Sequence, residues 1–121
     1  MSKNNNLRRL QNLLREFATL ENSLVNSQGL PLQVARLFIA ICNKLGEENS
    51  VSTSDVNELL GYNSATLSRN INTLSNRPKR SGTGLGLITT EENIHDRRSK
   101  LIKITTKGKA LQNKLLDIMK G

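Results

Sequence analysis

Residues 54–74 read SDVNELLGYNSATLSRNINTL, and downstream of them Asp96-Arg97-Arg98 stands between two short apolar runs. Within the second half of that stretch Leu67, Ile71 and Leu74 recur at i, i+4 and i+7, the spacing of one buried helix face. A helical turn of about 100° per residue then carries Ala65, Arg69, Asn72 and Thr73 to the opposite side, with Ser64, Thr66 and Ser68 beside them. Gly61 closes the preceding helix, and Asn63 is a side chain suited to cap the next. The order is helix, tight turn, helix, then a hairpin with Asp96, Arg97, Arg98 and Lys100 at its tip. It predicts a mainly α fold with a small β-wing, a winged helix-turn-helix. The outer face of residues 64–73 combines hydroxyls, an amide and a fixed guanidinium, the donors and acceptors needed to read base edges in a major groove.

Outward from this centre, the chain divides into apolar stripes and breaks. Leu7, Leu10, Leu14, Phe17 and Leu24 follow a 3–4 spacing that predicts a first helix over about 5–26, with Asn4 to Asn6 frayed. Some 22 residues of helix span about 33 Å, more than a small lobe requires for its own core. Gly29 and Pro31 separate it from a second helix over 31–45, where Val34, Leu37, Phe38, Ile41, Cys42 and Leu45 mark the core face. Val51 reads as a short strand residue, and Ser52, Thr53 or Ser54 caps a third helix carrying Val56, Leu59 and Leu60. Pro78 ends the fourth helix. Residues 75–86 form a basic, glycine-rich connector, expected to be a flexible linker. Residues 87–90 and 101–105 read as the wing strands, with 91–100 as the loop between them. Thr105 or Thr106 then caps a last helix bearing Leu111, Leu115, Leu116, Ile118 and Met119. The organisation expected is one domain over 1–121, with a core at 31–105 flanked by dimerisation helices at 1–28 and 106–121.

Charge points to the partner. The 121-residue chain carries a net +8, and between Arg69 and Lys109 ten basic residues face three acidic ones, which concentrates +7 there. A localised positive field calls for a polyanion. Arg77, Lys79 and Arg80 in the connector, with Arg97, Arg98 and Lys100 on the wing, are the candidate phosphate contacts around the helix face. Phe17, Phe38 and Tyr62 are the only aromatics. Binders of single strands stack bases on exposed rings, so duplex DNA is favoured.

Other chemistries lack their residues. One cysteine and one histidine cannot supply a zinc site of the usual ligand count, and no metal or cofactor is expected. No grouping of nucleophile, base and acid is visible, so no catalytic residue is assigned. The Gly82-x-Gly84-x-Gly86 run lacks the Gly-Lys-Ser/Thr ending of a phosphate loop and precedes a strand rather than a helix. Cys42, on a core stripe and without a second thiol, reads as an inert core residue. No apolar run approaches the roughly 20 residues of a membrane span, and no secretory leader is visible, so a cytoplasmic protein is expected.

From Pro31 to Leu111 the sequence resembles the MarR family of winged-helix transcriptional regulators. The residues that carry the likeness are Ser54-Asp55-Val56 within 51–61, Ala65-Thr66-Leu67-Ser68-Arg69, Leu74, Gly86-Leu87-Ile88, Asp96-Arg97-Arg98 and Ile104-Thr105-Thr106-Lys107-Gly108. The Asp-x-Arg element is the most specific of them. The resemblance implies a homodimer interlocked through its terminal helices, with Leu7, Leu10, Leu14, Phe17, Leu24, Leu111, Leu115 and Ile118 at the interface. It implies that the fourth helix enters a major groove while Arg98, oriented by Asp96, enters the flanking minor groove. The chain departs from the pattern in three places. Asn57 replaces a small alanine, which implies looser helix packing. The 75–86 connector is long. The chain ends before the second carboxy-terminal helix of most members, which shifts dimerisation onto the first helix.

The function expected is a sequence-specific regulator, most simply a repressor on a pseudo-palindromic operator. A replication initiator or architectural DNA binder shares the fold, and a protein-interaction module whose wing meets an acidic partner is the reading from another class. A small-molecule effector is left open, although scarce aromatics argue against a phenolic one.

Overall fold

The computed structural model describes residues 2–21, 32–46, 48–75, 78–79 and 82–120. In chain order they form α1 (Ser2–Glu21), α2 (Leu32–Leu45), β1 (Val51–Ser52), α3 (Thr53–Leu60), α4 (Ser64–Leu74), β2 (Pro78–Lys79), β3 (Gly82–Thr83), β4 (Ile88–Glu92), β5 (Lys100–Ile104) and α5 (Thr106–Lys120). A three-stranded antiparallel sheet runs in the order β1-β5-β4, and β2 pairs with β3 as a separate hairpin. This is the mainly helical fold with a small wing that the periodicities predict.

The core forms where the stripes of α2 and α4 meet the sheet. Leu37, Phe38, Ile41, Val56, Leu74 and Ile102 are fully buried. Phe17 reaches this core from α1 and meets Phe38 edge-on, with ring centroids 6.3 Å apart. Leu111 and Leu115 close it from α5. Three residues read as dimer contacts, Phe17, Leu111 and Leu115, are therefore buried within the protomer. Leu7, Leu10, Leu14, Leu116 and Met119 stay exposed. Ile118 is half-buried, and Leu24 lies outside the described residues.

Several expectations need correction. The helix α1 begins at Ser2, so Asn4 to Asn6 are helical rather than frayed. Adding residues to an existing helix costs far less than nucleating one, so the turn ahead of the Leu7 stripe propagates. Its expected end near Asn26 lies outside the described residues. The wing strands are displaced and β4 is longer, because Glu91↔Leu101 and Glu92↔Lys100 continue the ladder and shorten the loop to 93–99. A 3.2 Å ion pair between Lys103 and Glu91 braces the same hairpin.

The connector is the largest departure. It contains the β2–β3 pairing, and its second half is docked rather than flexible. Leu85 and Leu87 are buried, and their amides donate to the carbonyls of Thr73 and Leu74, each at 2.8 Å. The Gly86 amide donates to the Ser75 carbonyl at 3.1 Å. These bonds satisfy carbonyls that the end of a helix leaves without partners. Gly84 is required by the close approach. A Cβ there would collide with the Ser75 carbonyl oxygen and lie 2.7 Å from that of Asn72.

The opposite edge of the same segment receives α5. Thr105 donates its amide to the Leu87 carbonyl at 3.1 Å and its hydroxyl to the Gly86 carbonyl at 2.7 Å. The Thr105 Oγ1 in turn caps α5 by accepting from the Gly108 amide at 3.0 Å. A Cβ on Gly108 would strike the Leu87 carbonyl. Gly108→Ala is therefore expected to destabilise the fold by about 1–3 kcal/mol, the usual range for overpacking. Urea denaturation should show a lower midpoint at unchanged slope.

Candidate nucleic-acid interface

Two capped helices build the central part of the site. Ser52 Oγ accepts from the Asp55 amide at 3.1 Å to start α3, and Asn63 Oδ1 accepts from the Thr66 amide at 2.8 Å to start α4. Between them Gly61 adopts φ 68°, the left-handed conformation that stops a helix. Asn57 spans this turn. Its Nδ2 donates to the Tyr62 carbonyl at 2.8 Å, and its Oδ1 accepts from the Tyr62 amide at 3.0 Å. At the position where looser packing was expected, the Asn57 amide ties the turn, a bond alanine could not make. Tyr62 is held further by its hydroxyl on the Gln33 carbonyl at 2.9 Å and by the Arg36 guanidinium, 5.7 Å from its ring centre.

The outer face of α4 is only partly as read. Ser64, Ala65, Ser68 and Arg69 are exposed, whereas Thr66, Asn72 and Thr73 are half-buried. Thr66 Oγ1 accepts from Arg69 Nη2 at 3.5 Å, and the Thr73 hydroxyl donates to the Arg69 carbonyl at 3.0 Å. The open face is therefore centred on the first two turns of the helix. Sequence reading assigned no place to Asn70, which is 4% exposed and whose Nδ2 has no partner among the described residues. Its position three residues after Leu67 was the available signal that it points inward.

The wing tip consists of two linked turns. The Asp96 amide donates to the Asn93 carbonyl and the Ser99 amide to the Asp96 carbonyl, each at 3.1 Å. Asn93 Oδ1 accepts from the His95 amide, and Asp96 Oδ1 accepts from the Arg98 amide, again at 3.1 Å. Asp96 thus orients Arg98 through its backbone. Arg98 lines a cleft of about 310 Å³ together with Ser54, Asn57, Glu58, Ser64 and Leu67, which brings the wing base to the start of α4. The ion pairs found among the described residues are Lys103–Glu91 and Lys114–Glu16. Arg69, Arg97 and Arg98 are exposed and keep uncompensated charge on this side. Lys100, also exposed, pairs with Glu92 at the last rung of the ladder. Lys79 pairs with Gly82 in the small hairpin, while Arg77 and Arg80 lie outside the described residues.

With a capped helix pair, an exposed polar first turn and a basic hairpin beside it, the chain can be set against known proteins. A family model described as a winged helix DNA-binding domain matches residues 34–108. The chain belongs to this family. It is a family of DNA-binding domains and not of enzymes. Winged-helix chains of MarR type share the fold over most of its length. A mutant MarR from E. coli complexed with operator DNA is 18% identical, covering 92% of this chain and 70% of its own, with a TM-score of 0.52. The overoxidized AbfR bound to DNA is 19% identical over 98% of this chain and 78% of its own, with a TM-score of 0.54. The PcaV transcriptional regulator from Streptomyces coelicolor is 22% identical over 91% and 71%, with a TM-score of 0.51. No curated protein sequence matches. At these identities the likeness to the solved structures is one of fold.

Away from the winged-helix face, a cavity of about 440 Å³ is lined by Leu13, Ile39, Cys42, Asn43, Gln112 and Met119, among others, with no ring and no charge in its wall. Cys42 is half-buried there rather than part of the sealed core, and burial pushes its thiol up to about 11. A thiol titrating that high is almost wholly protonated at neutral pH, and the thiolate is the reactive form. Iodoacetamide should therefore label Cys42 slowly at pH 7. The rate should rise about tenfold per pH unit until it levels near the thiol's own pKa, as intact-mass spectrometry can follow.

Proposed function

We propose that this winged-helix protein is a sequence-specific, double-stranded DNA-binding transcriptional regulator, acting in the cytoplasm as a homodimeric repressor on a pseudo-palindromic operator. The observation that carries the reading is the coincidence of two features on one side. The exposed first turns of α4 lie beside a wing whose arginines have no intramolecular counter-ion among the described residues. In this reading Arg69, Ser68, Ala65 and Ser64 face base edges, Asn72, Thr66 and Thr73 sit at the margin of the groove, and Arg98 enters the flanking minor groove. Arg97 and Lys100, with Arg77, Lys79 and Arg80 of the connector, face phosphates. The fold is shared with chains solved on DNA, MarR on an operator and AbfR among them, and this supports the assignment.

A dimer is supported by the apolar stripe that the protomer leaves uncovered. Leu7, Leu10 and Leu14 on α1 are 66%, 50% and 48% exposed, and Leu116 and Met119 on α5 are each 52% exposed. Apolar side chains aligned on two packed helices are the signature of a surface covered by a partner. A two-fold axis would then set the paired recognition helices about 34–36 Å apart, one turn of DNA. Residues 31–105 would act as the reading core and 1–28 with 106–121 as the dimerisation helices of a single domain. No cation or ring lines the cavity at Cys42, so control by a small aromatic anion has no support in that wall.

Binding to duplex DNA should weaken by about 10³–10⁵ between 50 and 200 mM salt if some 6–10 phosphates are contacted. Arg69→Ala should cost about 1–3 kcal/mol on a selected site and relax discrimination there. Arg98→Ala should weaken binding most where the flanks are A·T-rich. Anisotropy titrations check all three, and salt-insensitive binding or a preference for single strands would refute the assignment.

The double change Leu10→Asp and Leu14→Asp should give a monomer with weak DNA affinity, read by sedimentation. A wild-type monomer at tens of micromolar would remove the dimer from the proposal.

A further inference from the structure

The wing is tied to α3 by a cluster of hydroxyls directly beneath Arg98. Ser99 is 3% exposed, although both its neighbours in sequence are exposed and basic. Its Oγ accepts from the Ser54 amide at 3.2 Å and from the Ser54 hydroxyl at 3.1 Å. Two donors fill both lone pairs of a serine hydroxyl, so the Ser99 proton is directed to Thr53 Oγ1, 3.1 Å away. Thr53 Oγ1 also accepts from the Lys100 amide at 3.0 Å. The last of these bonds takes the place of a strand rung. The β1–β5 ladder has the pairs Val51↔Ile102 and Ser52↔Leu101 and stops there, because Thr53 has already turned into α3. The side chain of Thr53 therefore receives the Lys100 amide at the point where the ladder ends.

We propose that Ser99 is a positioning residue for DNA recognition, its hydroxyl fixing Arg98 in register with the start of α4 so that wing and helix read duplex DNA as one unit. Burial of Ile88 and Ile102 holds the sheet to the core, but apolar burial is non-directional. The hydroxyl cluster is directional, and its bonds leave from the residues adjoining Arg98 and from the N-terminus of α3, whose Ser54 and Asn57 share a cleft with Arg98 and Ser64. The spacing between the major-groove contacts and the A·T-rich flank is then a fixed property of the protein. This inference rests on the DNA-binding reading, and its test separates the two.

A duplex is selected by the full chain from a random library. Two further probes are made from it, one with the A·T flank replaced by G·C and one with that flank moved outward by one base pair. The wild type should lose about tenfold on each altered probe, the scale of a single mismatched position. Ser99→Ala and Thr53→Val should bind all three probes within about twofold of one another, while still discriminating at the bases read by Arg69. Thr53→Ser, which keeps the oxygen, should restore the wild-type ratios. Ser99→Ala combined with Arg98→Ala should lose no more flank preference than Arg98→Ala alone. A Ser99→Ala protein that keeps the tenfold ratios, or that loses affinity equally on every probe, overturns the proposal. Should Ser99→Ala not fold, the pair Thr53→Val and Thr53→Ser decides by the same ratios. A wild type that selects no duplex defeats the DNA-binding reading itself, a result distinct from unchanged ratios in the variants.

Discussion

The carbonyl end of α4 depends on a segment of backbone only a few residues long, residues 84–87, which bends at Gly86 in the left-handed conformation, φ 70°. A helix leaves its last carbonyls without partners, and buried ones cost about 1–3 kcal/mol each when they stay so. Here the amides of Leu85, Gly86 and Leu87 supply them, and the carbonyls of the same residues take up Lys107 Nζ and the amide and hydroxyl of Thr105. One strip of chain is therefore bonded along both edges, to α4 on one side and to the start of α5 on the other. Gly84 and Gly108 permit the contact because any Cβ would meet a carbonyl. Leu85 and Leu87 bury their side chains in the core at the same point. The position of α4 relative to the wing and to α5 follows from that strip.

Periodicity conveyed the helices and the wing because their stripes answer to burial, which depends on spacing alone. Leu37, Phe38, Ile41 and Leu74 lie where the 3–4 pattern puts them. The strip at 84–87 was not legible, since its glycines carry the composition of a linker. What distinguishes a docked glycine from a flexible one is the carbonyl opposite, and that partner is non-local. The same holds for Ser99. Nothing in its neighbourhood of exposed basic residues marks it as buried, and its partners stand 45 and 46 positions away. The role of Asn57 was hidden for a related reason. A polar residue at a packing position reads as a loss until the turn it bridges is seen. The apolar stripe of α1 was partly legible. Spacing grouped Phe17 with Leu10 and Leu14, but only the placement of α5 and α2 shows that Phe17 is covered within the protomer and the other two are not.

The distribution of acids follows a similar logic. Glu91 is engaged by Lys103 and Glu16 by Lys114, pairs at 3.2 and 3.4 Å that are partly or largely solvent-exposed and add little stability. Asp96 is placed within the basic tip itself, yet its Oδ1 accepts from a backbone amide. An acid in that position would be expected to quench the neighbouring arginines. It keeps its charge but shapes the turn, and Arg97 and Arg98 are exposed and form no ion pair with it. The positive field and the geometry that aims it therefore arise from the same few residues.

Two kinds of force act on the wing, and they are not interchangeable. Burial of Ile88 and Ile102 brings the sheet to the core and tolerates small rotations, since apolar contact has no preferred direction. A guanidinium entering a groove about 6 Å wide tolerates little rotation. β1 contributes only two residues to the sheet, so the hairpin beyond Ser99 has no strand on that edge. Directional bonds at that edge restrain the hairpin from the side of α3, and hydroxyls are suited to the place. Between them Ser99 and Thr53 accept from an amide in the first turn of α3 and from the first amide of β5, where a backbone carbonyl committed to the helix cannot. A buried cluster of that kind is costly unless every member is satisfied. Ser99 has two donors and one acceptor, and Thr53 Oγ1 is engaged by Ser99 and by the Lys100 amide.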